Sequence, residues 1–112
     1  MPKLALLKSE EDFAAFRRAK SYDSEFLKIR VHFRPNQNFP RFGFIISKKT
    51  VPLAADRNLL KRRLKALLTK RFQRLHPVDL ILLPARALIK KKSPDAAGIL
   101  DKLLKDARLW KF

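Results

Sequence analysis

The pattern of apolar and polar residues predicts strands and helices along this chain of 112 residues. From Glu25 to Arg34 the residues alternate with a period of two, which is typical of a half-buried strand. Its apolar face consists of Leu27, Ile29, Val31 and Phe33, and its second face is basic. Residues 41–47 form another β-rich run, and we predict that it pairs with the first as a hairpin across the turn at 35–38. Residues 79–83 are nearly all apolar, as expected of a strand buried on both faces.

Three segments carry helix signals. Ser9 followed by three acidic residues predicts a helix that starts there and runs to about Lys20. The middle helix has apolar residues at helical spacing, and His76-Pro77 is expected to end it. Those apolar residues are Leu60, Leu64, Leu67, Leu68, Phe72 and Leu75. The last helix is predicted to begin with Ser93 as its cap and Pro94 in its first turn.

The predicted order of elements is α-β-β-(β)-α-β-α, where the bracketed strand is optional. A strand, a long helix and a second strand make a βαβ unit. We therefore predict an α+β fold, in which one sheet packs with helices in a single domain that covers residues 1–112.

Composition narrows the possible partners. Twenty-seven basic and ten acidic residues give a formal net charge of +17, while 46% of the residues are hydrophobic. The hydrophobic content predicts a folded core, and the charge calls for an anionic partner, either nucleic acid or a membrane surface. Residues 41–75 hold eleven basic side chains and one acidic one, Asp56, so most of the excess lies in the middle third. There is no cysteine and no apolar run long enough to span a membrane.

The middle helix is the main candidate for chemistry. Arg57, Lys61 and Lys65 are four residues apart and line one edge, and Asn58 and Arg62 form a parallel row. Charges spaced by about 6 Å along a helix match a chain of phosphates. A solvated face is the alternative interpretation, but such faces usually interleave acids with bases, which this segment does not.

Two further features, a pair of phenylalanines and a basic strand face, are each compatible with two interpretations. Phe13 and Phe16 can stack on unpaired bases or pack on the sheet, and the residues alone favour packing. The basic strand face can carry RNA or face solvent, and it consists of Lys28, Arg30, His32 and Arg34. No set of carboxylates or histidines suits a nuclease metal site. The residues alone predict a nucleic-acid-binding domain without an active site, and RNA is favoured because no helix-turn-helix or zinc pattern is present.

Two motifs bear a family resemblance. Arg41-Phe-Gly-Phe-Ile-Ile-Ser-Lys-Lys49, followed by Ala54-Ala-Asp-Arg-Asn-Leu-Leu-Lys-Arg-Arg-Leu-Lys65, resembles the protein subunit of bacterial ribonuclease P. The resemblance covers roughly residues 7–110. Leu59 replaces the last Arg of the family's Arg-Asn-Arg motif, so that contact is not carried over. Lys65 stands where Arg is common, which keeps the charge without the bidentate fork.

The resemblance implies a left-handed βαβ crossover and a ribonucleoprotein that cleaves precursor tRNA to leave a mature 5′ end. It implies that the RNA subunit with bound Mg²⁺ performs the chemistry, and that the protein holds the 5′ leader, supports the RNA and resides in the cytoplasm. The implied partners are the ribonuclease P RNA and precursor tRNA, with no membrane and no obligate protein partner.

The resemblance also assigns residues to two sites. The RNA-contacting residues it implies are Lys48, Lys49, Arg57, Asn58, Lys61, Arg62 and Lys65. The leader cleft it implies is lined by Phe13, Phe16, Arg17, Lys28 and Arg30. No residue of the protein is expected to be catalytic or to bind a metal. The alternative functions are a structural RNA-binding protein, such as a ribosomal one, and a nuclease that acts alone, which the missing carboxylates disfavour.

Overall fold

The structure, a computed structural model, describes residues 5–6, 19–33 and 37–111. In this part of the chain, five strands form one mixed sheet: β1 (Ala5–Leu6), β2 (Lys20–Asp23), β3 (Leu27–Phe33), β4 (Arg41–Phe44) and β5 (Val78–Pro84). It also contains two α-helices, α1 (Ala54–Thr69) and α2 (Ser93–Asp106), and 3₁₀ helices at Phe72–Arg74 and Arg86–Lys90. The predicted α+β class is confirmed. Most of the helix predicted from Ser9 lies outside the described residues. Its predicted end, Lys20, is instead the first residue of β2.

The strands are arranged in the order β1-β4-β5-β3-β2, with β5 at the centre. Strand β5 runs parallel to β4 and antiparallel to β3. Two neighbouring parallel strands need a crossover connection, and α1 lies in the segment that connects them. The predicted βαβ unit is therefore present, while the handedness of its crossover stays a prediction.

The predicted hairpin between β3 and β4 is wrong, because β5 lies between these two strands. Strand β3 instead forms a hairpin with β2, which the sequence analysis missed. Ser24 holds the turn of this hairpin: its hydroxyl donates to the Leu27 carbonyl at 3.0 Å and accepts from the Leu27 N–H at 3.1 Å. Strand β2 reads Lys-Ser-Tyr-Asp, and a polar edge strand of this kind carries little hydrophobic signal.

The alternation predicted for β3 is observed along most of the strand. Leu27, Ile29 and Val31 are buried in the main core, and Lys28 between them is exposed. Phe33 departs from the prediction because it is 61% exposed. It pairs with Val78, the first residue of β5, so it stands at the end of the sheet.

Both helices bury leucines in the same core. Those of α1 are Leu60, Leu64 and Leu68, and those of α2 are Leu100, Leu103 and Leu104. Helix α1 ends at Thr69, six residues before the predicted limit. The apolar spacing continues past this point because Phe72 and Leu75 also pack on the core, but they do so from a 3₁₀ turn and an extended segment.

The beginning of α2 also differs from the prediction. Its cap residue is Lys92 rather than Ser93, and no side chain caps it, although Pro94 and Asp95 lie in the first turn as predicted. The residues after α2 return to the segment before β5. Leu75 and Trp110 form an isolated antiparallel bridge, and the Trp110 indole N–H donates to the Asp101 carbonyl at 3.4 Å. The end of the described chain is thereby fastened to the entrance of β5.

Leu64→Ala tests the packing of α1 on the sheet. Leu64 is 1% exposed, so we expect the free energy of unfolding to fall by about 2–5 kcal/mol. Chemical denaturation measures this change. Leu53→Ala is the matched control, because Leu53 is 63% exposed and its truncation should cost no more than about 0.5 kcal/mol. Equal losses in the two variants would contradict the packing described above.

Candidate nucleic-acid interface

The outward side of α1 brings the predicted helix residues together. Asn58, Lys61 and Arg62 are exposed, and Lys65 is partly exposed. With Ala55 they border one open depression of about 500 Å³. The buried leucines fix the opposite side of the helix on the sheet, so these polar groups are held facing solvent. This side of α1 presents closely spaced cations and one amide to a ligand.

Arg57 has a structural role that the sequence did not reveal. It is partly buried, and its Nη1 donates to the carbonyls of Val51 and Pro52 at 2.9 and 2.8 Å. These bonds tie the first turn of α1 to the segment that precedes it. Arg57 therefore shapes the entrance to the helix, and it is not among the residues that border the depression on the outward side of α1.

Lys48 and Lys49 are exposed in a tight turn that leads to α1. The Ser47 carbonyl accepts from the Val51 N–H at 2.8 Å, and the Ser47 hydroxyl accepts from the Lys49 N–H at 3.1 Å. Val51 is fully buried and anchors the turn in the core. Because Arg57 bonds to this same segment, the two lysines are held close to the N-terminus of α1.

The second face of the sheet, opposite the main core, carries Lys28, Arg30 and His32. In the pairing of β3 with β5, Lys28 lies opposite Leu83, Arg30 opposite Ile81, and His32 opposite Asp79. Lys28 is exposed, and the other two are partly exposed. Ile81 is buried and Leu83 is partly exposed, so the accessible part of this face combines basic groups with one apolar side chain. A surface that binds both phosphates and bases needs groups of both kinds.

Lys28 connects the second face to the turn that carries Lys48 and Lys49. It borders a depression of about 250 Å³ whose wall also includes Ser47 and Thr50 of that turn. The two hydroxyl groups were not predicted as part of a site, although Ser47 stands in the Ser-Lys-Lys sequence. Phe13, Phe16, Arg17 and Arg34 lie outside the described residues.

A buried ion pair stands at one end of the second face. Arg41 donates to Asp79 from Nε at 2.9 Å and from Nη2 at 2.7 Å. The Gln37 amide donates to the same carboxylate at 3.0 Å, and Asp79 is 0% exposed. A buried carboxylate is costly unless donors surround it, and these bonds meet that need. The pair joins β4 to β5 and fixes the loop before β4.

The described residues contain no group of three or more histidine, cysteine or acidic side chains that could hold a metal ion. Over the same ranges, neither α-helix is long and apolar enough to cross a membrane.

Sequence comparison relates the chain to known proteins. A family model described as Ribonuclease P matches residues 1–108. The ribonuclease P protein component of Pseudanabaena sp. is 34% identical over 60% of this chain and 59% of its own length. That of Alcanivorax borkumensis is 38% identical over 67% of this chain and 65% of its own length. The matched part of the chain thus spans less than two thirds of each relative.

Solved structures show the same fold. The RNase P protein from Staphylococcus aureus superposes with a TM-score of 0.85 at 19% identity, covering 96% of this chain and 99% of that one. The RNase P protein from Thermotoga maritima gives a TM-score of 0.73 at 18% identity, covering 86% and 91% of the two chains.

Inorganic phosphate tests whether the basic surface of α1 binds anions. A ligand that binds only the folded state stabilises it by about 2.7 kcal/mol at one hundred times its Kd. We expect the Tm to rise by several degrees with phosphate. Sodium chloride at the same ionic strength is the control, and it should raise the Tm less. Equal effects of the two salts would show screening alone and would contradict a phosphate-binding surface.

Proposed function

The chain belongs to the Ribonuclease P protein family, and we propose that it is the protein component of a ribonucleoprotein that removes the 5′ leader from precursor tRNA. The observation that carries this proposal is the outward side of α1. There the residues that match the family's motif stand together and face solvent: Asn58, Lys61, Arg62 and Lys65. A rigid row of cations held on a folded core suits the phosphates of a structured RNA.

We assign the contact with the ribonuclease P RNA to α1 and the turn before it. The two exposed lysines of the turn extend the charged surface past the first residue of the helix. Arg57 holds the turn against the helix, so both parts meet the RNA as one rigid unit. Rigid positioning lowers the entropy that is lost on binding.

We assign the 5′ leader of the precursor to the second face of the sheet. Lys28 and Arg30 offer charge to its phosphates, and the partly exposed Leu83, which pairs with Lys28, offers apolar surface to its bases. Phe13, Phe16 and Arg17 belong to this proposal through the family resemblance alone. A single-stranded leader suits this surface because it exposes bases and phosphates together.

In this proposal the RNA subunit performs the cleavage with its bound Mg²⁺, and the protein supplies binding energy. Two acids of the described chain are used by the fold, which agrees with this division of labour. Asp79 bonds to Arg41, and Asp101 bonds to Arg71 at 2.6 Å. The proposed site of action is the cytoplasm, where tRNA is processed.

A reconstitution assay tests the function. Purified protein is mixed with a bacterial ribonuclease P RNA and precursor tRNA at low Mg²⁺. We expect 5′ processing at the correct position to rise with added protein, and no cleavage by the protein alone. The reason is that added cationic surface replaces part of the charge screening that Mg²⁺ provides. Absence of stimulation throughout a salt titration would leave a structural RNA-binding protein as the better description, and cleavage by protein alone would indicate a self-sufficient nuclease.

Arg62→Ala tests whether the outward side of α1 contacts RNA. The variant should bind the ribonuclease P RNA more weakly, because one phosphate contact is lost. The plot of log K against log salt concentration should become shallower by about 0.7–0.9. Filter binding at several salt concentrations measures both quantities.

Two control variants make the Arg62 result specific. Arg62→Lys retains the charge and should keep the slope. Lys102→Ala removes an equally exposed charge from α2, outside the proposed surface, and should leave affinity and slope nearly unchanged. A slope that is the same in Arg62→Ala and in the unaltered chain would mean that Arg62 is merely solvated.

A further inference from the structure

An apolar depression lies at the end of the sheet where β4 begins, outside both surfaces assigned above. Its volume is about 340 Å³, and it is lined by Ala5, Phe39, Pro40 and Phe72. Phe39 is 53% exposed, whereas Pro40 beneath it is buried. Phe72 packs partly on the core, so it offers a second aromatic side chain to the same space. Exposed apolar side chains that gather around one concavity commonly mark a binding site.

The loop that presents Phe39 is held by polar contacts that lead to a buried carboxylate. The Gln37 amide donates to the Phe39 carbonyl at 2.7 Å and to the Asp79 carboxylate at 3.0 Å. Asp79 is itself fixed by the two bonds from Arg41. The backbone that carries the exposed ring is therefore connected through Gln37 to the buried Asp79 carboxylate. A ring positioned in advance loses little entropy when a flat ligand stacks on it.

The charge around the depression favours an anionic ligand. The described segments that form it are residues 5–6, 37–41 and 70–76, and none of them contains an acidic residue. The residues near Phe72 in the sequence include three that are exposed: the cations Lys70 and Arg74, and His76. A ligand that combines a flat apolar group with negative charge suits this arrangement, and a nucleotide is such a ligand.

The depression also continues the basic row of α1. Counting by four from Asn58 gives Arg62, Ala66 and Lys70, so the row follows one side of the helix to its C-terminal cap. Arg62 and Lys70 are separated by about 12 Å along the axis, which is two steps of the row. Phe72 follows Lys70 by two residues. The end of the row is therefore adjacent along the chain to a residue that lines the depression.

We propose that this depression binds an unpaired RNA base, which stacks on Phe39 while Lys70 and Arg74 contact the flanking phosphates. The inference rests on the RNA binding in the proposed function and adds to it a base-stacking site beyond the motif helix. It identifies the ligand as single-stranded RNA, because paired bases do not expose the faces that a phenyl ring requires.

The test measures binding of a fluorescein-labelled single-stranded RNA of about twelve nucleotides, a length within the range that one stacking domain covers. Phe39→Ala should raise the Kd by about fivefold or more, which is the lower end of the effect of losing one stacked base. The salt slope should stay unchanged, because no phosphate contact is removed. Phe39→Tyr retains the ring and should bind like the unaltered chain, whereas Phe39→Leu retains apolar area without a π face and should bind weakly.

Phe33→Ala is the matched control, because Phe33 is at least as exposed as Phe39 but belongs to β3, on the other side of β5 from β4. Its truncation should leave the Kd unchanged, and a loss equal to that of Phe39→Ala would overturn the site. Unchanged binding in Phe39→Ala, together with a shallower slope in Arg62→Ala, would overturn the base site alone and leave the depression to a peptide or protein. If the unaltered chain did not bind the oligonucleotide at all, the base site would be overturned, while the reconstitution assay would decide the proposed function separately.

Discussion

Strands β4 and β5 run parallel as neighbours, so the chain between them must pass from one end of the sheet to the other. Helix α1 lies in that connection, and its leucines fasten it to the core face of the sheet. Once that side is buried, the polar side of the helix has to face solvent. The location of the basic surface is thus a consequence of strand pairing, and the ion pair between Arg41 and Asp79 strengthens the same pairing from the other face.

Three arginines of the described chain stabilise the fold rather than face a ligand. Arg57, Arg63 and Arg71 each donate to backbone carbonyls, and Arg71 also pairs with Asp101. Arg63 reaches the carbonyls of Ile89 and Lys91 at 2.9 and 3.1 Å, so it joins α1 to the segment before α2. The planar guanidinium group can satisfy several acceptors at once, which an ammonium group does less well. The motif identified Arg57 as an RNA-binding candidate, but its bonds to the preceding turn depend on how the chain folds back there, and no spacing rule contains that information.

The local elements could be predicted because burial imprints a period on the sequence. The leucines of α1 recur with the helical period and β3 alternates, so both were recognised. Strand pairing leaves no such periodic pattern. Apart from Asp79, β5 is apolar and is compatible with any neighbour, and proximity along the chain wrongly suggested that β3 pairs with β4. The depression at Phe39 could not be predicted either, because it combines residues 5, 39 and 72, which only the tertiary fold brings together.

The bridge between Leu75 and Trp110 has an optical consequence. Trp110 is the only tryptophan of the chain, and it is partly buried where the last described residues meet the entrance of β5. Its indole also bonds to the carbonyl of Asp101 in α2. The fluorescence of this single indole therefore reports whether the last described residues have packed on α2 and on the segment before β5. It provides an intrinsic signal for folding that needs no attached dye.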